Sequence, residues 1–139
     1  MIHLHTSTRN WKRREISRIV NLTMSWCRNN LGINNRKSYE LNIRIVKNTE
    51  SDDECGQYEA EWNEIEIYWN NMLNVREIIE TCIHEWSHYR QPIRSQYFKW
   101  KGSYHRNPFE VEARKNEKIY TPICWKEIKS KVNRNRLNK

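Results

Sequence analysis

His84, Glu85 and His88 are the residues of this chain whose types and spacing could do chemistry together. The two histidines are four positions apart, and on an α-helix that spacing stacks both imidazoles on one face, about one turn apart. Two imidazoles so placed can bind one divalent ion from the same side, and the pattern suits a single zinc ion. Glu85 directly follows the first histidine, so its carboxylate can reach a water held at an open metal position. The chemistry expected is attack by an activated water, with Glu85 as the general base.

A helix must carry these residues, and the surrounding sequence supplies one. Asn74 is a good N-cap, and Glu77 stands three residues on, as in a capping box. Val75, Ile78, Ile79, Cys82, Ile83 and Trp86 then recur at helical spacing. Gln91-Pro92 ends the run, because the residue before proline is pushed out of the α region. A helix over 74–91 is predicted, with both histidines in its last two turns. Cys82 falls on its apolar face and reads as a small core residue.

A catalytic zinc site keeps three protein ligands and one open position. Downstream, Asn107 is a suitable N-cap and Pro108 a suitable first helical residue. Glu110 would then lie in the first turn of a second helix. Phe109, Ala113 and Tyr120 could form its packing face, with Ala113 permitting close approach to the first helix.

The segment from Ile78 to about Glu117 resembles the zincin metallopeptidases of the gluzincin kind, in which a glutamate on a later helix completes the site. The Glu110-x-Glu112-Ala113 run is similar to the E-x-x-A segment of CAAX-prenyl-protease and ImmA/IrrE-type peptidases, although Arg114 stands where those families often have aspartate or asparagine. The resemblance implies a zinc metallopeptidase, a hydrolase acting on a peptide or protein, with His84, His88 and Glu110 as metal ligands and Glu85 as base. His105 and Glu112 remain alternatives for the third ligand; His105 resembles the third histidine of SprT-type (Spartan-like) proteases, which would make nucleic acid a partner. An oxyanion stabiliser is expected from Tyr104, with His105 and Tyr89 as other candidates. A zincin-fold binding module without catalysis is a third reading. The resemblance also implies an edge strand bordering the cleft, on which a peptide adds as a further strand. Ile65 to Trp69 is the strand nearest the motif helix in sequence, and the acidic charge of Glu64 and Glu66 there could favour basic peptides.

The elements that must position the site fit an α+β class. Trp11 to Leu31 reads as an amphipathic helix, with Ile16, Ile19, Val20, Thr23, Met24 and Cys27 on one stripe and Gly32 as its stop. Tyr39, Leu41, Ile43 and Ile45 alternate with polar residues, as in a half-buried strand. Tyr58 to Trp62 and Ile65 to Trp69 are two more short strands, joined near Asn63-Glu64. Pro92 to Asn107 reads as a loop rich in aromatics, and Thr121-Pro122 as the start of a last helix that frays into a basic tail at about 122–139. The expectation is a minimal zincin fold: a small mixed or antiparallel sheet packed on the N-terminal and motif helices, then the ligand helix.

At 139 residues the chain is expected to be a single domain over 1–139. Charged residues make up 30% and apolar ones 37%, and the seven tryptophans and seven tyrosines supply buried area that aliphatics do not. No apolar run approaches a membrane span and Met1 to His5 lacks a signal-peptide core, so no membrane partner and a cytoplasmic location are expected. Cys27, Cys55, Cys82 and Cys124 are widely spaced and suggest neither a second zinc site nor a disulfide framework. The abundance of asparagine points to an A/T-rich genome such as that of a phage or virus. The net charge of +8 is uneven: 50–66 holds eight acidic residues and no lysine or arginine, while Arg9 to Arg18 and Lys126 to Lys139 are basic. Basic termini could attract nucleic acid. Without a motif that supplies stacking aromatics, solvated helix faces are the preferred reading.

Overall fold

A computed structural model describes residues 1–35, 40–91 and 100–137, with backbone alone beyond Arg134. Its elements are α1 (Arg13–Asn30), β1 (Asn42–Val46), β2 (Gly56–Glu59), β3 (Glu64–Tyr68), α2 (Val75–Arg90), a 3-10 turn (Tyr104–Arg106) and α3 (Pro108–Leu137). The class is α+β, as expected. Tyr39, Tyr97 and Phe98 lie outside the described residues. No described helix is long and apolar enough to cross a membrane.

The N-terminal helix forms for the reason its stripe predicts. Ile16, Ile19, Val20, Thr23, Met24 and Cys27 are all buried, and Trp26 joins them. Its first turn is closed by Glu15, whose carboxylate accepts from the Lys12 N–H (3.2 Å). Its last turn ends at Gly32, which adopts φ +86, a left-handed conformation that costs glycine little.

The three strands form one mixed sheet in the order β1-β3-β2, with β1 parallel and β2 antiparallel to β3. Ile65 and Ile67 of β3 are fully buried. Glu64 and Glu66 alternate with them, and the Arg44 guanidinium of β1 reaches both carboxylates, at 3.2 and 3.4 Å. This topology corrects the expected role of Ile65 to Trp69. β3 is paired on both sides, so its main chain has no edge to offer an added strand. Among the described residues β2 is the edge that borders the cleft.

α2 runs beneath this sheet. Asn74 caps it by accepting from the Glu77 N–H (2.9 Å), an interaction typically worth about 1 kcal/mol. The Glu77 carboxylate accepts from the Leu73 N–H (2.8 Å), one residue before the position a capping box uses. The segment before α1 covers the start of α2: the Val75 and Arg76 N–H groups donate to the Thr6 and Leu4 carbonyls.

The largest departure from expectation is α3. A new helix does not begin at Thr121-Pro122; one helix of 30 residues runs through Pro122. Proline inside a helix costs about 3 kcal/mol, through a lost N–H donor and a crowded carbonyl. Cys124, Ile128 and Val132 are buried beyond it, and Ala113 before it. Each large apolar side chain buried contributes about 1.5–3 kcal/mol, so a continuous docked face outweighs one defective turn. The basic C-terminal stretch is therefore helical to Leu137 and is docked as far as Asn133, which bonds both main-chain groups of Ile2.

Candidate metal centre

His84 and His88 project from the last two turns of α2 towards the first turn of α3, where Glu110 stands. Asn107 sets that turn: its side chain accepts from the Phe109 N–H (3.0 Å) and its carbonyl from the Val111 N–H (2.9 Å). Pro108 occupies the first helical position, where no donor is needed. Ala113, fully buried, lets α3 close on α2. The Asn116 amide donates to the Ser87 hydroxyl (3.0 Å), which in turn donates to the Ile83 carbonyl (2.8 Å), and these bonds hold the two helices in register.

The three side chains converge. His84 Nε2 lies 3.0 Å from Glu110 Oε2, His88 Nε2 lies 2.9 Å from Glu110 Oε1, and the two Nε2 atoms are 3.2 Å apart. Among the described residues this is the group of histidine, cysteine and acidic side chains that could hold a metal ion, its donor atoms all within 4.8 Å of one another. Donors about 2.0–2.1 Å from a tetrahedral ion stand about 3.3 Å apart, so the observed spacing fits such an ion with shifts of a few tenths of an ångström.

Each imidazole is held from behind. His84 Nδ1 lies 2.5 Å from Glu117 Oε1, and His88 Nδ1 lies 2.8 Å from Gln91 Oε1. The Gln91 amide donates to the Phe109 carbonyl (2.8 Å), so its oxygen must be the atom turned to His88. That puts a proton of His88 on Nδ1, so that Nε2 is the atom whose lone pair would face a cation held between the three side chains. Neither Glu117 nor Gln91 was identified as a site residue from sequence. A signal existed for each: Glu117 is two turns beyond Glu110 on the same face, and Gln91 is three residues beyond His88.

The electrostatics are those of a site that keeps a proton when no cation is present. Burial alone would push the His84 imidazole down, but hydrogen bonds to Glu110 and Glu117 and the nearby Glu85 carboxylate push it up to about 10. Burial alone would raise the Glu110 carboxyl, and hydrogen bonds from both histidines hold it well below the usual carboxylate range instead.

Glu85 is buried beside the cluster. Two adjoining cavities of about 390 and 370 Å³ are both lined by Glu85, His84, Tyr104, Glu54 and Gly56. Gly56 is needed for this approach: a Cβ there would lie 2.7 Å from Thr81 Cγ2 and 3.3 Å from Glu85 Cγ. Asp53, Glu59, Glu110 and Glu117 add to the lining, and among the described residues no lysine or arginine does. Tyr104 stands at the mouth, 57% exposed.

The other candidates are placed elsewhere. His105 is exposed, its carbonyl accepts from the Arg114 guanidinium, and it is outside the cluster. Glu112 is also outside; its carboxylate accepts from the Gln91 amide at 3.4 Å. Tyr89 is core: its ring packs on Trp86 and Tyr58, and its hydroxyl accepts from the Asn34 N–H (3.0 Å). Cys82 is core as expected, and all four cysteines are free thiols. No protein-family model, no curated protein and no solved structure matches this chain.

Proposed function

We propose that this chain is a zinc-dependent metallopeptidase. The observation that carries the reading is the convergence of His84, His88 and Glu110 beside a buried glutamate, Glu85, in an open acidic cleft. Zinc, when held by those three side chains, supplies Lewis acidity that lowers the pKa of water towards about 7 and polarises a carbonyl. Glu85 accepts a proton from the water that attacks the peptide carbon. The new C–O bond forms as that proton moves, and Glu85 then delivers it to the amide nitrogen as the C–N bond breaks. Tyr104 lines the same cavity as Glu85 and donates its hydroxyl to the developing oxyanion. Glu117 and Gln91 keep the imidazoles oriented throughout.

The substrate is a peptide lying along β2, because Gly56, Gln57, Tyr58 and Glu59 line the cavity that the metal ligands also line. Asp53, Glu54 and Glu59 give it a preference for cationic side chains. This reassigns the selectivity from Glu64 and Glu66, which are occupied by Arg44.

The test is metal analysis of purified, unchelated protein together with hydrolysis of a fluorogenic lysine-rich peptide. One zinc per chain is expected, with activity lost to a chelator and restored by zinc. Protein that neither contains nor takes up a stoichiometric transition metal would sink the reading. Zinc uptake must also displace a proton, because His84 is protonated at neutral pH when its folded-state pKa is about 10. Apparent zinc affinity should therefore fall about tenfold per unit as pH drops from about 8 to about 6. Calorimetry in buffers of different ionisation enthalpy should register the released proton; identical heats in all buffers would contradict the assignment.

A further inference from the structure

Two basic segments remote in sequence meet at Arg18. Its guanidinium donates to the Val132 carbonyl (2.7 Å), 114 residues away, and to the Lys131 carbonyl. These bonds seat the start of α1 against the end of α3. Along the junction lies a groove of about 980 Å³, lined by Trp11, Arg13, Arg14, Arg18, Leu22 and Val132 among others. The one carboxylate in its lining is Glu15, which is engaged at the start of α1. Among the described residues no carboxylate forms an ion pair with Arg13, Arg14 or Arg18. Lys129, Lys131 and Arg134 are exposed on the adjoining end of α3. The groove shares no lining residue with the cavities at the metal centre.

Three guanidinium groups and a half-buried indole in one concave surface are complementary to a ligand with repeated negative charge and flat apolar faces. A lipid surface or polyphosphate offers the charge without the faces, and a duplex hides its base faces in the stack. A single strand offers both. We propose that the groove between α1 and the end of α3 binds single-stranded nucleic acid, with phosphates against Arg14 and Arg13, the charge of the structurally engaged Arg18 behind them, and a base against Trp11. This site is independent of the peptidase reading.

The test uses the full chain and a labelled oligo(dT) of about twelve nucleotides, within the usual site size for such grooves. Oligo(dT) should bind more tightly than the same length of duplex, than polyphosphate and than phosphatidylserine vesicles. Reversing two exposed charges together, Arg14→Glu and Lys131→Glu, should weaken binding about tenfold or more. The slope of log affinity against log salt should flatten by about 0.7 for each phosphate no longer neutralised. Lys118→Glu is the matched control: it lies about 20 Å along α3 from Lys131 and should leave binding unchanged. Trp11→Leu should abolish the preference for oligo(dT) over an abasic strand. If that variant fails to fold, crosslinking of a thiouracil-bearing strand to Trp11 in the unaltered protein replaces it. Equal binding of polyphosphate, duplex or vesicles overturns the proposal. So does an equal weakening in the Lys118 control, a surviving preference over the abasic strand, or the absence of a Trp11 crosslink.

Discussion

Glu85→Gln will keep its zinc and lose peptide hydrolysis by about three to four orders of magnitude, the upper part of the range for a positioned general base. The substitution is isosteric, so the packing of Glu85 against Gly56 is preserved. The amide has no basic oxygen with which to take a proton from water. Glu85 is not one of the three converging donors, so the metal should stay. Metal content by mass spectrometry and turnover of the fluorogenic peptide, measured on the same preparation, separate the two effects. Undiminished turnover in metal-replete protein would remove Glu85 from the reaction. Loss of metal would make it a ligand instead.

Glu110→Ala will cost zinc affinity more than about 100-fold, beyond what removal of an outer partner costs. Among the described residues, Glu110 is the carboxylate that reaches both Nε2 atoms, at 3.0 and 2.9 Å. Without it the two imidazoles face one another across 3.2 Å with no anion between them. Glu112→Ala should have a small effect, since Glu112 touches the site only through a long bond to the Gln91 amide. Glu117→Gln should fall between, within about 10–100-fold, because it orients His84 from behind. Competition with a chromophoric chelator measures all three. Equal zinc affinity in the Glu110 and Glu112 variants would put the third ligand elsewhere.

The readings that succeeded rest on local rules. Asn74 and Asn107 cap their helices because an asparagine side chain reaches the N–H two or three residues on, whatever else surrounds it. The stripe from Ile16 to Cys27 is buried because its period is that of the helix. The pairing of His84 with His88 follows from the same period. The departures from those rules are non-local. Pro122 looked like a helix start because proline is one in isolation, and only the docked face of Cys124, Ile128 and Val132 carries the helix through it. Ile65 to Trp69 looked like the cleft edge because it precedes the motif helix. The order β1-β3-β2 puts it in the middle and leaves β2 as the wall.

By itself, then, the chain's order of residues determined which groups could share a helix face: His84 with His88, and Glu110 in an acidic first turn. It left Glu110, His105 and Glu112 as rivals, because sequence spacing does not say how two helices cross. The packing of α3 on α2 through Ala113 and the Ser87–Asn116 hydrogen bond brings Glu110 to the imidazoles and leaves His105 and Glu112 outside the cluster. The same packing brings Glu117 behind His84, a partner no periodicity of α2 could name. Helix period is a property of the backbone and can be read one residue at a time, whereas the meeting of side chains from separate helices exists only once their apolar faces have excluded water and closed on each other.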